Sequence, residues 1–453
     1  MTRAFHIAIA ILLLAPFAVQ ADDWPMFGGR PDRNRVAGDK GLPVVPDAAT
    51  VKWSADIGSQ TYGNPTISNG RVYIGTNNAV PRDPAVKGDR GVLMCFSAAD
   101  GKFLWQTAHE KLPGKEADDW PETGLSSSAC VADDLVYYVS NRAELVCVSA
   151  KDGKREWLLD MKKDFGVNPL HASVSSPLVA GDLVFVCTGN SVDHKTHEVK
   201  NPGAPSFLAA DRKTGKVVWK DASPGKNIVG GAWGSPAYGV VDGRAQIVFP
   251  GADGWLYSFD PPSGKLLWKF NCKSYEKPPA PGDEPTHFQL PATPVIAGHA
   301  VLIPVGVDVD TNDKGCFWAI DARKSGDITK DGALWRIDGD KFGLSIAGPT
   351  VADGLVYAIE MAGFLNCIEL ETGKLVWRHD LLCSLWGGPL VADGKIYLKT
   401  GDAEIVTFQA GREKKELGRT DKFKDLDTGS IVVANGTLYF TGKKKLYAVG
   451  GSK

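Results

Sequence analysis

Apolar positions along this chain fall into short alternating runs, not helical stripes. Ile346-Ala-Gly-Pro-Thr-Val-Ala-Asp-Gly-Leu-Val-Tyr-Ala-Ile359 shows the pattern. A small, Pro-bearing approach leads into an apolar run, an Asp-Gly pair and a β-branched and aromatic run. Asp-Gly between two such runs predicts a tight β-hairpin. Gly363-Phe-Leu-Asn-Cys-Ile-Glu369 adds a third strand, and Thr372-Gly373-Lys374 turns the chain into a fourth, at Leu375-Val376-Trp377. Each unit is therefore four short antiparallel strands.

The same grammar returns eight times, with hairpins starting near Asn64, Ser128, Ser176, Ser235, Thr293, Gly348, Gly388 and Ser430. Fourth strands carry a tryptophan: Trp53, Trp105, Trp157, Trp219, Trp268, Trp335 and Trp377, at spacings of 52, 52, 62, 49, 67 and 42 residues. A period of this size marks a repeat architecture. The seventh unit ends without a Trp, at Leu417, ten residues after Thr407. The eighth stops at Leu446-Tyr-Ala-Val449 with no fourth strand, while residues 51–57, around Trp53, have no unit of their own. Lending those residues to the last sheet closes the ring and leaves no open end. The expectation is an all-β, eight-bladed β-propeller over residues 51–450, preceded by a leader (1–21) and an N-terminal extension (22–50). Each Trp is expected to lie on the turn of a neighbouring blade, with the small residue ten positions earlier leaving room for it.

Composition is globular, 43% hydrophobic and 23% charged, and the 51 glycines suit many tight turns. A net charge of -2 gives no nucleic-acid footprint. The basic run Lys443-Lys444-Lys445 reads as a solvated turn. Arg3 followed by apolar residues 4–19 and by Val19-Gln20-Ala21 reads as a secretion signal cleaved near Ala21, and no later stretch is apolar enough for a membrane helix.

Eight cysteines in an exported chain raise the question of disulfides. Cys95, Cys147 and Cys367 each sit ten residues before a repeat Trp, where other units carry Ala209 or Ser258, so they read as buried free thiols. Cys130, Cys187, Cys272, Cys316 and Cys383 leave room for one disulfide. No Cys-x-x-Cys occurs, which removes haem attachment, a redox pair and a zinc ribbon.

The unit Ala209-Ala-Asp-Arg-Lys-Thr-Gly-Lys-Val-Val-Trp219, repeated closely at 258–268 and 367–377 and more loosely at 95–105 and 147–157, resembles the docking motif of pyrroloquinoline-quinone (PQQ)-type eight-bladed propellers. The resemblance covers residues 24–449. Trp24-Pro-Met-Phe-Gly-Gly-Arg30 and the interrupted turn Gly326-Asp-Ile-Thr329 are similar to a group of exported PQQ-like propellers. It implies one of two roles: a quinoprotein alcohol dehydrogenase, or a non-enzymatic propeller like the BamB-type outer-membrane assembly factor. The dehydrogenase pattern implies an adjacent Cys-Cys pair and a Glu, Asn and Asp around calcium; this chain has no Cys-Cys pair, and no such trio maps onto it. The assembly-factor pattern implies a lipidated N-terminal Cys, and no Cys lies near Ala21.

The funnel mouth is where a ligand is expected. The approaches to the inner strands place Tyr62, Asn64, His171, Ser173, Trp233, Gln289 and Trp386 around the axis, and Trp233 and Trp386 could stack on a flat ring. Against this, the same residues could simply plug the rim. Asp193-His194-x-x-His197-Glu198 and Asp308-x-Asp310-x-Asn312-Asp313 are weak metal motifs: the first lies in a Pro/Gly loop, and the second has Gly315 and Ala319 where a calcium loop needs an earlier Gly and a Glu. No nucleophile constellation can be assembled. Long segments at 76–90, 190–206 (the approach to the fourth unit), 326–333, and 273–286 (between the fifth and sixth units) are further binding candidates. The expectation is an exported, non-catalytic propeller that binds envelope or periplasmic proteins, with no catalytic residue, metal or cofactor. The alternatives are a PQQ- and calcium-dependent oxidoreductase, and a funnel that senses a carbohydrate or other small molecule.

Overall fold

The hairpins form where the alternation places them. The structure, a computed structural model, describes residues 23–113, 119–170, 175–231, 233–273, 290–306, 315–338, 341–421, 423, 425–427 and 429–450. From the axis outwards, blade 1 is Thr66–Ser68, Arg71–Asn77, Arg90–Ser97 and Phe103–Glu110. Blades 2 to 7 repeat this order, with innermost strands Cys130–Ala132, Leu178–Ala180, Ala237–Val241, Val295–Ala297, Thr350–Ala352 and Leu390–Ala392. Blade 8 has Val432–Ala434, Thr437–Thr441 and Lys445–Gly450 from the C-terminus, and its outer strand is Val51–Asp56, with Trp53 opposite Ala448. Closure of the ring by the N-terminal strand is as expected. Aromatic side chains pack between blades, as where Phe249 and Phe259 of blade 4 meet Phe207 and Trp219 of blade 3.

The spacing of ten has a register behind it. Ala209 pairs directly with Trp219, Cys95 with Trp105, Cys147 with Trp157, Ser258 with Trp268 and Cys367 with Trp377. A large side chain directly opposite would compete for the space under the indole. Each ring then reaches the next blade's turn. The indole N–H donates to a turn carbonyl: Trp53 to Ala98 (2.9 Å), Trp105 to Ala150 (3.1 Å), Trp157 to Arg212 (3.1 Å), Trp219 to Pro261 (2.7 Å), Trp335 to Leu370 (2.7 Å) and Trp377 to Gly411 (3.0 Å). Glycine is required beneath the ring: a Cβ on Gly101 or Gly215 would come within 2.6 Å of an indole carbon.

Trp268 departs from this rule. The lengthened turn of blade 5 sends Gly326–Asp327 back as a fifth strand along blade 4, with Gly326 beside Trp268. The indole turns inward and donates to Gln246 Oε1 (2.8 Å), and Gln246 Nε2 donates to the Ala322 carbonyl (3.2 Å), the blade 5 counterpart of Ala98 and Ala150. Gln246 thus relays the docking bond. Gln246→Leu should cost about 1–3 kcal/mol, because it strands a buried indole N–H. Thermal melts of the single variants and of the double variant with Trp268→Phe should show non-additive losses.

The seventh unit needs a correction. Its turn is one residue longer, so Gly418, not Leu417, stands opposite Thr407. Val45 of the N-terminal segment lies against Gly418 and takes the place of the missing indole. Two loop placements also change. Residues 190–206 join the second and third strands of blade 3 instead of approaching blade 4. The Pro-rich stretch after Lys273 falls, by chain order, between blades 4 and 5, and its residues 274–289 lie outside the described residues. All eight cysteines are free, and burial pushes the Cys130 thiol up to about 11 and the Cys187 thiol to about 12, so both stay neutral.

Candidate functional site

Among the described residues no other strand of the ring pairs with the axial edge of a blade's first strand, which in blade 7 is joined in parallel by Val36–Ala37 of the N-terminal segment, and buried amides at these edges need acceptors. The N-terminal extension provides them. It runs as a strap across the axial channel, meeting blades 1, 2, 4, 5, 6 and 7 in that order. The Ile67 amide donates to Trp24 O (2.8 Å), Val131 to Pro25 O (2.7 Å), Tyr238 to Pro31 O (2.8 Å), Ile296 to Asp32 O (3.0 Å) and Val391 to Arg35 O (3.0 Å). Val351 donates to the side-chain oxygen of Asn34 (2.8 Å). These six amides occupy the same position, second in the inner strand of blades 1, 2, 4, 5, 6 and 7. Arg33 reaches blade 3 through the Ser176 and Pro177 carbonyls, and Asp39 accepts from Gly436 of blade 8.

Above the strap lies a belt. The amide of Ser430 donates to Asn64 Oδ1 (2.8 Å), Asn64 to Ser128 Oγ (2.8 Å), Ser128 to Ser176 Oγ (3.0 Å), Ser176 to Ser235 Oγ (2.9 Å) and Ser235 to Thr293 Oγ1 (3.0 Å). Each bond joins one blade to the next at the residue that opens its hairpin. The belt breaks at Gly348 and Gly388, which have no side chain to accept, and Arg35 occupies the gap. Its Nη1 donates to the Gly348 carbonyl (3.0 Å), and a Cβ on Gly388 would stand 2.6 Å from Nη1.

Strap and belt together floor a cavity of about 400 Å³. Tyr62, Trp233 and Trp386, each two residues before a belt position, line it from blades 1, 4 and 7, and Asn64 lines it from the belt. Four of the seven funnel candidates therefore converge. His171 and Gln289, with Ser173, lie outside the described residues. Trp120, Phe27 and Arg35 also line the cavity and carried no pattern in the sequence. Burial raises the Tyr62 phenol above its ordinary range, partly offset by its hydrogen bond with Gln60.

Two arginines of the strap lie in different environments. Arg33, 1% exposed, donates to the carbonyls of Pro236 (2.7 Å), Phe27 (2.6 Å), Ser176 and Pro177. Arg35, 3% exposed, opens to the cavity. Burial lowers both to about 10, so both are charged at neutral pH.

Other candidates find ordinary structural uses. Asp193 accepts from the Lys195 and Thr196 amides (3.0 and 3.1 Å) and pairs with Lys200, while His194 and His197 are exposed. Residues 307–314, with the Asp308 motif, lie outside the described residues. Lys445 pairs with Asp56 across the blade 8 closure (2.7 Å).

Segments 31–191, 89–306 and 252–452 match the family described as outer membrane protein assembly factor BamB. The chain belongs to that family. Relatives of the BamB-type, PQQ-like propeller differ in what their names say they do. The outer membrane protein assembly factor BamB of Yersinia pestis is 23% identical over 391 residues, covering 82% of this chain and 80% of its own. Polyvinylalcohol dehydrogenase of a Pseudomonas species is 23% identical over 384 residues, covering 70% of this chain, which spans only 58% of the enzyme. Among solved structures, quinohemoprotein alcohol dehydrogenase from Comamonas testosteroni superposes with a TM-score of 0.64 at 14% identity, covering 95% of this chain and 81% of that one. These likenesses establish the PQQ-like propeller and leave the activity to the site itself.

Proposed function

We propose that this chain is a binding propeller of the cell envelope whose axial funnel captures a ligand without transforming it. One observation supports this reading above the rest: among the described residues lining the cavity there is no aspartate or glutamate. Alcohol oxidation needs a base placed at the substrate proton, and calcium needs several oxygen ligands, carboxylates among them. The cavity offers aromatic rings, hydroxyls, one amide and one guanidinium, a set that binds and orients. The described residues that line the cavity do not fit a calcium–quinone pair. Export rests on the signal-like residues 4–21, and an envelope setting on the name of the Yersinia pestis relative. No helix among the described residues is long and apolar enough to cross a membrane. Envelope or periplasmic proteins are the partners this setting supplies, with the funnel rim and the long loops as the surface they would meet.

The second reading is a quinoprotein oxidoreductase, favoured by the meeting of Trp233, Trp386 and Arg35 in one cavity. A dye-linked assay of primary alcohols and sugars, with PQQ and calcium added to the purified protein, separates the two. The binding reading expects no turnover above the protein-free rate, whereas turnover that requires both additions would replace it with the oxidoreductase.

A further inference from the structure

Among the described residues, Arg35 is a buried charge without a counter-charge. Among the described residues its one hydrogen bond is Nη1 to the Gly348 carbonyl, which leaves Nε and Nη2 of the guanidinium to the cavity. The charged neighbour among the described residues is Arg33, of the same sign. The Phe27 ring at 4.9 Å offers a cation–π contact, which offsets only part of the cost of taking a cation out of water. Arg33, by contrast, sits in a cage of carbonyls and needs nothing more. The fold nonetheless makes room for Arg35 specifically: Gly348 and Gly388 interrupt a belt that is otherwise Asn, Ser or Thr, and any side chain at 388 would strike the guanidinium. Above it the wall is largely apolar, with Trp386, Trp233, Ile346, Pro291 and the half-exposed Tyr62.

We propose that the axial funnel binds a small organic carboxylate, a carboxyl group on a flat apolar ring, with Arg35 as its anchor. A guanidinium presents paired N–H groups that match a carboxylate bidentately. One cation calls for one negative charge, and the aromatic wall calls for an organic body instead of a bare inorganic anion. The class of ligand rests on the funnel being a binding site, as proposed above. The strap thereby acquires a second task, since it carries the anchor as well as closing the channel.

The test compares 2-naphthoate with its neutral isostere 2-naphthamide by calorimetry and by quenching of tryptophan fluorescence. The wild-type protein should bind the carboxylate at least about 30-fold more tightly than the amide. Arg35→Met should erase that preference and, without ligand, melt at or above the wild-type temperature, because an uncompensated buried charge has been removed. A merely structural Arg35 would instead lower the melting temperature and leave the two probes indistinguishable. Equal binding of the two probes by the wild type, no binding of either, or saturation by inorganic phosphate well below naphthoate concentrations would each overturn the proposal. The wild-type comparison decides even if the variant fails to fold. These failures are separate from that of the binding reading, which falls only to quinone-dependent turnover.

Discussion

Trp219→Ala lowers the stability of the ring by about 3–5 kcal/mol, read as a fall in the melting temperature and the urea midpoint. The indole is the fastener between blades 3 and 4. Its N–H donates to Pro261 O at 2.7 Å, its face covers Gly264, and its ring centroid lies 6.0, 6.1 and 5.5 Å from those of Phe185, Phe249 and Phe259. Truncation opens a cavity at a joint where two sheets meet, and neither sheet can collapse into it without leaving its other neighbour. Trp219→Phe isolates the polar part: it keeps the aromatic packing, loses the carbonyl bond and should cost about 1 kcal/mol. If alanine and phenylalanine cost the same, the docking role of the ring is wrong.

A chain beginning at Pro43, without the strap, should lose more than any single substitution. Six strap–blade amide bonds, at about 1 kcal/mol each, disappear with the burial of Trp24 and Met26. Arg33 and its four carbonyl bonds leave as well. The expected result is a melting temperature lowered by at least about 10 °C, in keeping with the several kcal/mol lost, and fast hydrogen exchange at Ile67, Val131, Tyr238, Ile296, Val351 and Val391. A synthetic peptide of residues 23–41 added in trans should restore both. An unchanged melting temperature would show that the channel does not need its strap.

The ring was legible because every blade repeats the same local problem. Trp, the residue opposite it and the glycine turn recur at fixed offsets, so the count of eight blades and closure through Trp53 followed from spacing alone. Where a local rule was broken, spacing misled. One extra turn residue moved the seat opposite Thr407 from Leu417 to Gly418, and the added strand Gly326–Asp327 turned Trp268 away from its carbonyl. The strap was not legible as a plug. Its partners are amides spread over more than three hundred residues, and its Gly, Pro and Arg content reads as loop. Yet a signal existed. Six of the eight hairpin openings carry Asn, Ser or Thr and two carry Gly, and that paired gap is where Arg35 enters. Tyr62, Asn64, Trp233 and Trp386 could be picked out because they hold fixed places before the inner strands. Arg35, one of several cations in a segment without a repeat, held none.

A crystal structure of the wild-type chain grown with 2-naphthoate tests the central claim most directly. It should show the carboxylate on the Arg35 guanidinium, in the gap between Gly348 and Gly388, with the ring against the aromatic wall of the funnel and the strap in place beneath. A ligand bound elsewhere, or a funnel that stays free of it while Arg35 pairs with a carboxylate of the protein itself, would contradict it.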